Sequence, residues 1–298
     1  QRRVALVLLV TYPYAWYLFG AAYTRSLLLA LTIAAFLALE RGRSVLAGIL
    51  GAAATATHPL GLAVTVGLAV RHLELAGALR IPPGPLTWRD GGARRLLAIR
   101  VDRDRGGRRW LVAPATSLAG VGSYSIYLWF DRGRPLQWIT AQDQHHGSLL
   151  RRILKVDLIG HWWSFADPTR AVTTLVQTLL VVAVVAATLP VARRFGVGYA
   201  SLAVAAFAFL IVGSDDFMGA GRYLMGVFPL AALAATGWPR HRRKILAWIA
   251  VAAPALVAAT TDAARGRVVA ALRQQALGLD GLIQRLAADV DNGPEAEE

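Results

Sequence analysis

Cysteine is absent from this 298-residue chain, and charged residues make up only 17% of it. Without cysteine the chain can form neither a disulfide, nor a thiol nucleophile, nor a cysteine-based metal site. Signatures of soluble enzymes are missing too, since there is no G-x-S-x-G, G-x-x-x-x-G-K-[ST] or H-E-x-x-H motif and no dinucleotide-binding fingerprint. A typical soluble domain carries about 25% charged residues. The low charge is therefore more typical of a membrane protein.

Long apolar segments are what the sequence has instead. A soluble core helix is apolar on one face, whereas Ser26–Leu39 and Val172–Ala192 are apolar on every face. Because backbone polar groups find no water in a bilayer, each segment is predicted to be an α-helix. The segments are residues 4–19, 21–39, 44–70, 110–130, 171–192, 197–213, 222–237 and 245–261.

These segments predict an all-α, polytopic membrane protein with about eight transmembrane helices in residues 1–261, followed by a polar C-terminal tail in residues 262–298. Thirty of the 32 basic residues are arginine. Together with the abundant alanine, this bias indicates a GC-rich bacterial genome. We therefore expect a multi-pass protein of a bacterial plasma membrane.

The net charge of +14 would suggest a nucleic-acid partner in a soluble chain. Here the basic residues lie between the apolar segments, where they set topology and meet anionic lipid, so we expect lipid partners and no nucleic acid. If the first span runs outward, residues 73–109 form an arginine-rich cytoplasmic loop and residues 131–170 an outer loop. The loops expected inside then carry most of the positive charge, as the positive-inside rule requires.

The segment 44–70 is predicted to be two short helices broken at His58-Pro59, because proline lacks a backbone N–H and disfavours helix in the residue before it. A single proline-kinked helix is the alternative. In the outer loop, apolar residues at helical spacing over 149–154 and the pair Trp162-Trp163 predict an amphipathic helix in the membrane interface.

Polar residues near the outer ends of the apolar segments form the candidate site, because polar groups at membrane depth are costly. Asp215, Asp216 and Arg222 give the strongest signal. An arginine can bind phosphate through two parallel hydrogen bonds, and a carboxylate can orient a sugar hydroxyl or hold a divalent cation. The alternative for the two aspartates is a solvated turn.

Three weaker clusters accompany it. Arg25 either serves the site or extends to the interface while Ser26 caps a helix. His58 is either a ligand or a satisfied structural histidine. The histidines of Gln142–His146 with His161 could ligate zinc or manganese, but sequence neighbours rarely point the same way, so we expect no metal or other cofactor, with a divalent cation as the alternative.

Six segments carry a resemblance when read in order: Tyr12-Pro13, Ala21–Leu29 (AAYTRSLLL), Glu40–Leu50 (ERGRSVLAGIL), Ala54–Leu62 (ATATHPLGL), Tyr127–Gln142 (YLWFDRGRPLQWITAQ) and Gly221–Pro229 (GRYLMGVFP). Together they resemble the PIG-V-like mannosyltransferase family, of the GT-C class of membrane glycosyltransferases. The resemblance implies transfer of mannose or a related sugar from a polyprenyl-phosphate donor to a lipid or protein acceptor on the outer face. The implied substrate-binding residues are Arg222, Tyr223, Asp215, Asp216, Arg25, Tyr23, His58, Gln142, Trp162 and Trp163.

The chain departs from the family pattern at two positions. Arg25 stands where the family usually has an acidic residue, and His58 stands where it usually has arginine. Both residues are expected at outer helix ends, where the charge of Arg25 would favour neutral His58. The family's acidic catalytic residue would lie before Gln1, so no catalytic residue is named.

Two other functions remain open at this point. A transporter or flippase of lipid-linked sugars predicts inverted repeats with helices broken near the midplane, and we find no convincing repeat. A degenerate scaffold, which keeps the fold without the chemistry, predicts no sugar transfer even when the upstream segment is present.

Overall fold

A computed structural model describes residues 2–10, 24–80, 87, 89–102, 109–139, 149–154, 168–213, 217, 220–224 and 226–236. Within them the helices are α1 Arg2–Val10, α2 Arg25–Glu40, α3 Ser44–Thr57, α4 Gly61–Leu75, α5 Gly92–Leu97, α6 Val112–Arg132, α7 Leu149–Leu154, α8 Pro168–Phe195, α9 Val197–Val212, α10 Ala220–Leu224 and α11 Pro229–Thr236. Two short antiparallel strands, β1 Leu79–Arg80 and β2 Arg100–Val101, flank α5. The prediction of an all-α chain is confirmed.

The predicted break in residues 44–70 is also confirmed. The helix α3 ends at Thr57, His58 is extended, and α4 begins at Gly61. A Cβ on Gly61 would collide with the backbone of Ala54 and Thr55, so glycine lets the start of α4 turn back against α3. The two helices therefore form a tight hairpin.

The turn from α2 to α3 is fixed by its backbone. Gly42 has φ +73°, its N–H bonds the carbonyl of Leu39, and the N–H of Arg43 bonds the carbonyl of Ala38. This pair of bonds is the Schellman motif, whose left-handed position strongly favours glycine. The turn places the start of α3 beside the end of α2.

Small residues bring α3 and α6 into close, parallel contact. A Cβ on Gly48 would meet Thr116, one on Gly51 would meet Ser117, and one on Gly120 would collide with the carbonyl oxygen of Ala52. Close approach of backbones through small residues is the usual packing of membrane helices. The contacts run in the same direction along both helices, so α3 and α6 start at the same end of the bundle.

Three buried hydroxyls lie where α3, α4 and α6 meet. Thr55 donates to the carbonyl of Ser117 at 2.7 Å, and the hydroxyls of Ser117 and Thr65 bond each other. All three side chains are buried. Since buried polar groups need partners, these bonds satisfy the hydroxyls and help to fix the register of the three helices.

An ion-pair cluster joins α2, α4 and α9 at the opposite end of the bundle from Arg25. Arg71 donates to Glu40 at 2.7 and 3.1 Å and to Glu74 at 2.8 Å. Glu74 in turn accepts the N–H groups of Val197 and Gly198, the first two residues of α9. We name this set, with Tyr199, the Glu40 cluster, and its end of the bundle the Glu40 end.

Three expectations need correction. Residues 222–237 form no continuous helix, because the chain breaks between α10 and α11 ahead of Pro229, which cannot donate to a preceding turn. Arg222 therefore lies within a five-residue helix rather than at the start of a long one. Ser26 does not cap α2, which begins one residue earlier with Thr24 at its N-cap. The segment 73–109 is not only loop, since it includes the end of α4, both strands and α5.

One helical segment among the described residues, Gln177–Phe195 of α8, is both long and apolar enough to cross a membrane. Ser44–Thr57 and Val197–Val212 are apolar but shorter. A full crossing takes about 20 residues. The predicted helix at residues 149–154 is confirmed as α7, whereas Trp162, Trp163 and the tail 262–298 lie outside the described residues.

Two glycines on α6 allow a matched test of this packing. Gly120→Ala should destabilise the chain by about 1–3 kcal/mol, because the added methyl meets backbone that cannot move aside. Gly122→Ala, two residues away, meets nothing within 4 Å and should be neutral or stabilising by up to about 1 kcal/mol through helix propensity. Thermal unfolding of both variants in detergent measures the difference. Equal melting temperatures would contradict the close α3–α6 contact.

Candidate functional site

Arg25, His58 and Tyr223 come together at one end of the bundle, from three separate parts of the chain. The guanidinium carbon of Arg25 lies 4.6 Å from the centroid of the Tyr223 ring. The His58 ring meets the same tyrosine edge to face, with 6.3 Å between ring centroids. We name these three residues the Arg25 cluster. The prediction that Arg25 and His58 lie close together is confirmed.

Local structure explains the position of His58. It lies in the turn between α3 and α4, where its Nδ1 accepts the N–H of Leu60 at 3.0 Å. A ring nitrogen that accepts a hydrogen bond carries no proton, so the neutral ring is protonated on Nε2. Charging the ring would require a proton on Nδ1 and would break this bond.

Burial, and then the charge of Arg25, lower the pKa of His58 to about 4. His58 is therefore neutral at physiological pH, as the sequence predicted. The Arg25 cluster then combines one permanent positive charge, a phenol and a neutral imidazole. Such a set suits an anionic oxygen ligand such as phosphate, to which an arginine donates in a planar, two-pronged fashion.

The short helix α10 places Tyr223 in the cluster. Ala220 and Gly221 are buried in α10, and in the turn after it a Cβ added to Gly226 would lie in ordinary van der Waals contact with the Leu60 side chain. The break between α10 and α11 thus packs against the same turn that holds His58. Arg222 precedes Tyr223 in α10, so its backbone lies at this end as well.

The remaining predicted site residues lie outside the described part of the chain: Asp215, Asp216, Tyr23, Gln142, Trp162 and Trp163. The histidines at positions 145, 146 and 161 also lie outside it. In the described ranges, no group of three or more histidine, aspartate or glutamate side chains is arranged to hold a metal ion.

Sequence reasoning missed the Glu40 cluster. A signal was available, because Glu40 and Glu74 are the first two acidic residues of the chain and each ends an apolar segment. Their partner Arg71 lies three residues before Glu74. Its side chain is 15% exposed and stacks toward the Tyr199 ring at 5.3 Å, so it serves the fold as well.

The neutral state of His58 predicts a pH-dependent stability. The pKa of histidine in an unfolded chain is about 6.5. Since it is lower in the folded chain, stability is complete above about pH 6.5 and is lost as pH falls toward the folded value. We expect His58→Asn, whose side-chain oxygen can accept the Leu60 N–H in an Asx turn, to reduce the loss of melting temperature between pH 7.5 and 5.

His58→Leu is the matched control, since it removes both the charge and the acceptor. It should also reduce the pH dependence but lower the melting temperature at every pH, because the Leu60 N–H loses its partner. If His58→Asn kept the full pH dependence of the unsubstituted chain, neutral His58 would not be the cause.

Comparison with known proteins does not assign this chain to a family. No family model, no curated protein and no solved structure matches this chain. The resemblance to the PIG-V-like family therefore rests on the sequence segments named above.

Proposed function

We propose that this chain is a multi-pass membrane protein whose helices cross the bilayer with the Arg25 cluster outside and the Glu40 cluster at the cytoplasmic surface. Apolar side chains exposed along the middle of several helices support this proposal; examples are Ile33, Ile49, Ile126, Val182 and Val204. Exposed apolar surface of this extent is rare in soluble proteins. Lipid is its natural environment.

The positions of the charged residues also support helices that cross a bilayer. In α2, α3, α6, α8 and α9, every charged residue lies within three residues of a helix end. The helix directions also agree with the arginine bias, because α3 and α6 run parallel to each other while α4 and α9 run antiparallel. One crossing by α4 between the parallel helices α3 and α6 is what a cytoplasmic loop at 76–111 requires.

Single cysteines test the topology in this cysteine-free chain. Leu97 is 88% exposed and Leu136 is 56% exposed, so both positions are accessible to a thiol reagent. We expect an impermeant maleimide to label Leu136→Cys in intact cells and to label Leu97→Cys only after the cells are permeabilised. Labelling in the reverse order would refute the proposed orientation.

Within this topology we propose a glycosyltransferase that takes mannose or a related sugar from a polyprenyl-phosphate donor at the outer surface. One observation carries the proposal. Arg25, His58 and Tyr223 belong to three different segments of the family resemblance, and these segments meet in space. Residues with separate structural roles would not need to meet at the same charged, partly buried end of the helix bundle.

The chemistry suits these residues. Sugar transfer passes through an oxocarbenium-like state in which negative charge builds on the departing phosphate. A guanidinium held in place at a low-dielectric surface stabilises that charge better than water does. In this proposal Arg25, stacked on Tyr223, binds the donor phosphate together with Arg222, and His58 beside them stays neutral.

Donor binding tests this role without requiring the acceptor. Arg25→Gln should weaken binding of polyprenyl-phosphate mannose to the chain in nanodiscs by about 10- to 100-fold, as expected for loss of a charge-assisted hydrogen bond. The donor affinity of Arg25→Lys should lie between those of Arg25→Gln and the unsubstituted chain, since lysine keeps the charge but loses the planar geometry.

Arg134→Gln is the matched control, because Arg134 is an exposed arginine just after the end of α6, is expected on the same outer side, and is not a member of the Arg25 cluster. It should bind the donor as the unsubstituted chain does. Unchanged binding by Arg25→Gln would remove Arg25 from the site. Tighter binding after the reversion Arg25→Glu with His58→Arg would instead favour a decayed scaffold.

A further inference from the structure

A cleft opens on the surface between the starts of α3 and α6, at the Glu40 end and away from the Arg25 cluster. Its volume is about 620 Å³. Two kinds of residue line it, a polar group at one end and an apolar group along the wall. The lining residues are Gly42, Arg43, Ser44, Val45, Leu46, Ile49 and Val112.

The polar end of the cleft is positively charged. Arg43 is exposed there, and no acidic residue is among the lining residues. The helix α3 begins here without a side-chain cap, so its first backbone N–H groups add partial positive charge. Ser44 lies beside them, with its hydroxyl 3.5 Å from Nε2 of His72. The groups at this end suit an anion.

The apolar wall continues from this end along α3 and the start of α6. Val45 is 59% exposed and Ile49 is 53% exposed, one turn further along the helix. Leu46 and Val112 complete the wall. A soluble anion would contact only the charged end of the cleft, and a neutral hydrocarbon would contact only its apolar wall. A ligand that fills both parts must combine an anionic group with an apolar chain.

From this combination we infer that the cleft binds an anionic phospholipid, with the phosphate at Arg43 and the start of α3 and an acyl chain along Val45 and Ile49. The inference rests on the membrane part of the proposed function and not on sugar transfer. It also fits the proposed topology, because basic residues at the cytoplasmic surface attract anionic lipid headgroups.

Native mass spectrometry of the full chain, released from nanodiscs of mixed phosphatidylglycerol and phosphatidylcholine with the same acyl chains, tests the inference. We expect the chain to retain phosphatidylglycerol in preference to phosphatidylcholine. Arg43→Gln should lower that retention about fivefold, the effect of one arginine at a charged membrane surface. Val45→Trp should also lower it, by filling the apolar wall while Arg43 stays in place.

Arg41→Gln is the matched control, because Arg41 is an exposed arginine two residues away that does not line the cleft. It should retain phosphatidylglycerol as the unsubstituted chain does. Equal retention by Arg43→Gln and the unsubstituted chain would overturn the inference, as would an equal loss in Arg41→Gln. Displacement of the lipid by inorganic phosphate would overturn it too, since the cleft would then hold an anion only.

The same preparations separate this inference from the proposed function. A chain that does not enter nanodiscs of any composition would refute the membrane proposal itself. A chain that enters them and binds polyprenyl-phosphate mannose, but shows no preference for phosphatidylglycerol, would refute only the lipid cleft.

Discussion

The bundle depends on one guanidinium shared by two carboxylates. Arg71 binds Glu40 of α2 and Glu74 of its own helix, and Glu74 also binds the first N–H groups of α9. The second negative charge is balanced by the partial positive charge at the start of α9 and by the hydroxyl of Tyr199, which donates to Glu40. Removing one member of a buried ion pair costs about 3–5 kcal/mol, and partial exposure lowers that figure here.

The Glu40 cluster also helps to position the Arg25 cluster at the other end of the bundle. By fixing the ends of α2, α4 and α9 relative to one another, it sets where their other ends lie. The 16 residues of α2 span about 24 Å, so Arg25 is positioned by a contact made at the far end of its own helix. The hydroxyl bonds of Thr55 and Thr65 with Ser117 hold α3, α4 and α6 in register between the two ends.

The sequence alone was enough to predict most of the helices and the break at His58-Pro59. Both depend on features within a few residues, namely the apolar character of a segment and the effect of proline on the residue before it. The sequence also placed Arg25 and His58 at one end, since alternating helix directions follow from the charge bias. Such local features failed where contacts join distant parts of the chain. Nothing near Glu74 in the sequence indicates that it caps a helix more than a hundred residues later.

The capping of α9 by Glu74 sets an order of assembly during synthesis. Glu40, Arg71 and Glu74 are all present once α4 has left the ribosome, but the N–H groups of α9 come 123 residues after Glu74. At about 5–20 residues per second, the ion pair waits roughly 6–25 seconds for its last partner. In that interval α2 and α4 can pair before α9 exists, so the nascent chain already carries a negatively charged docking point for the start of α9.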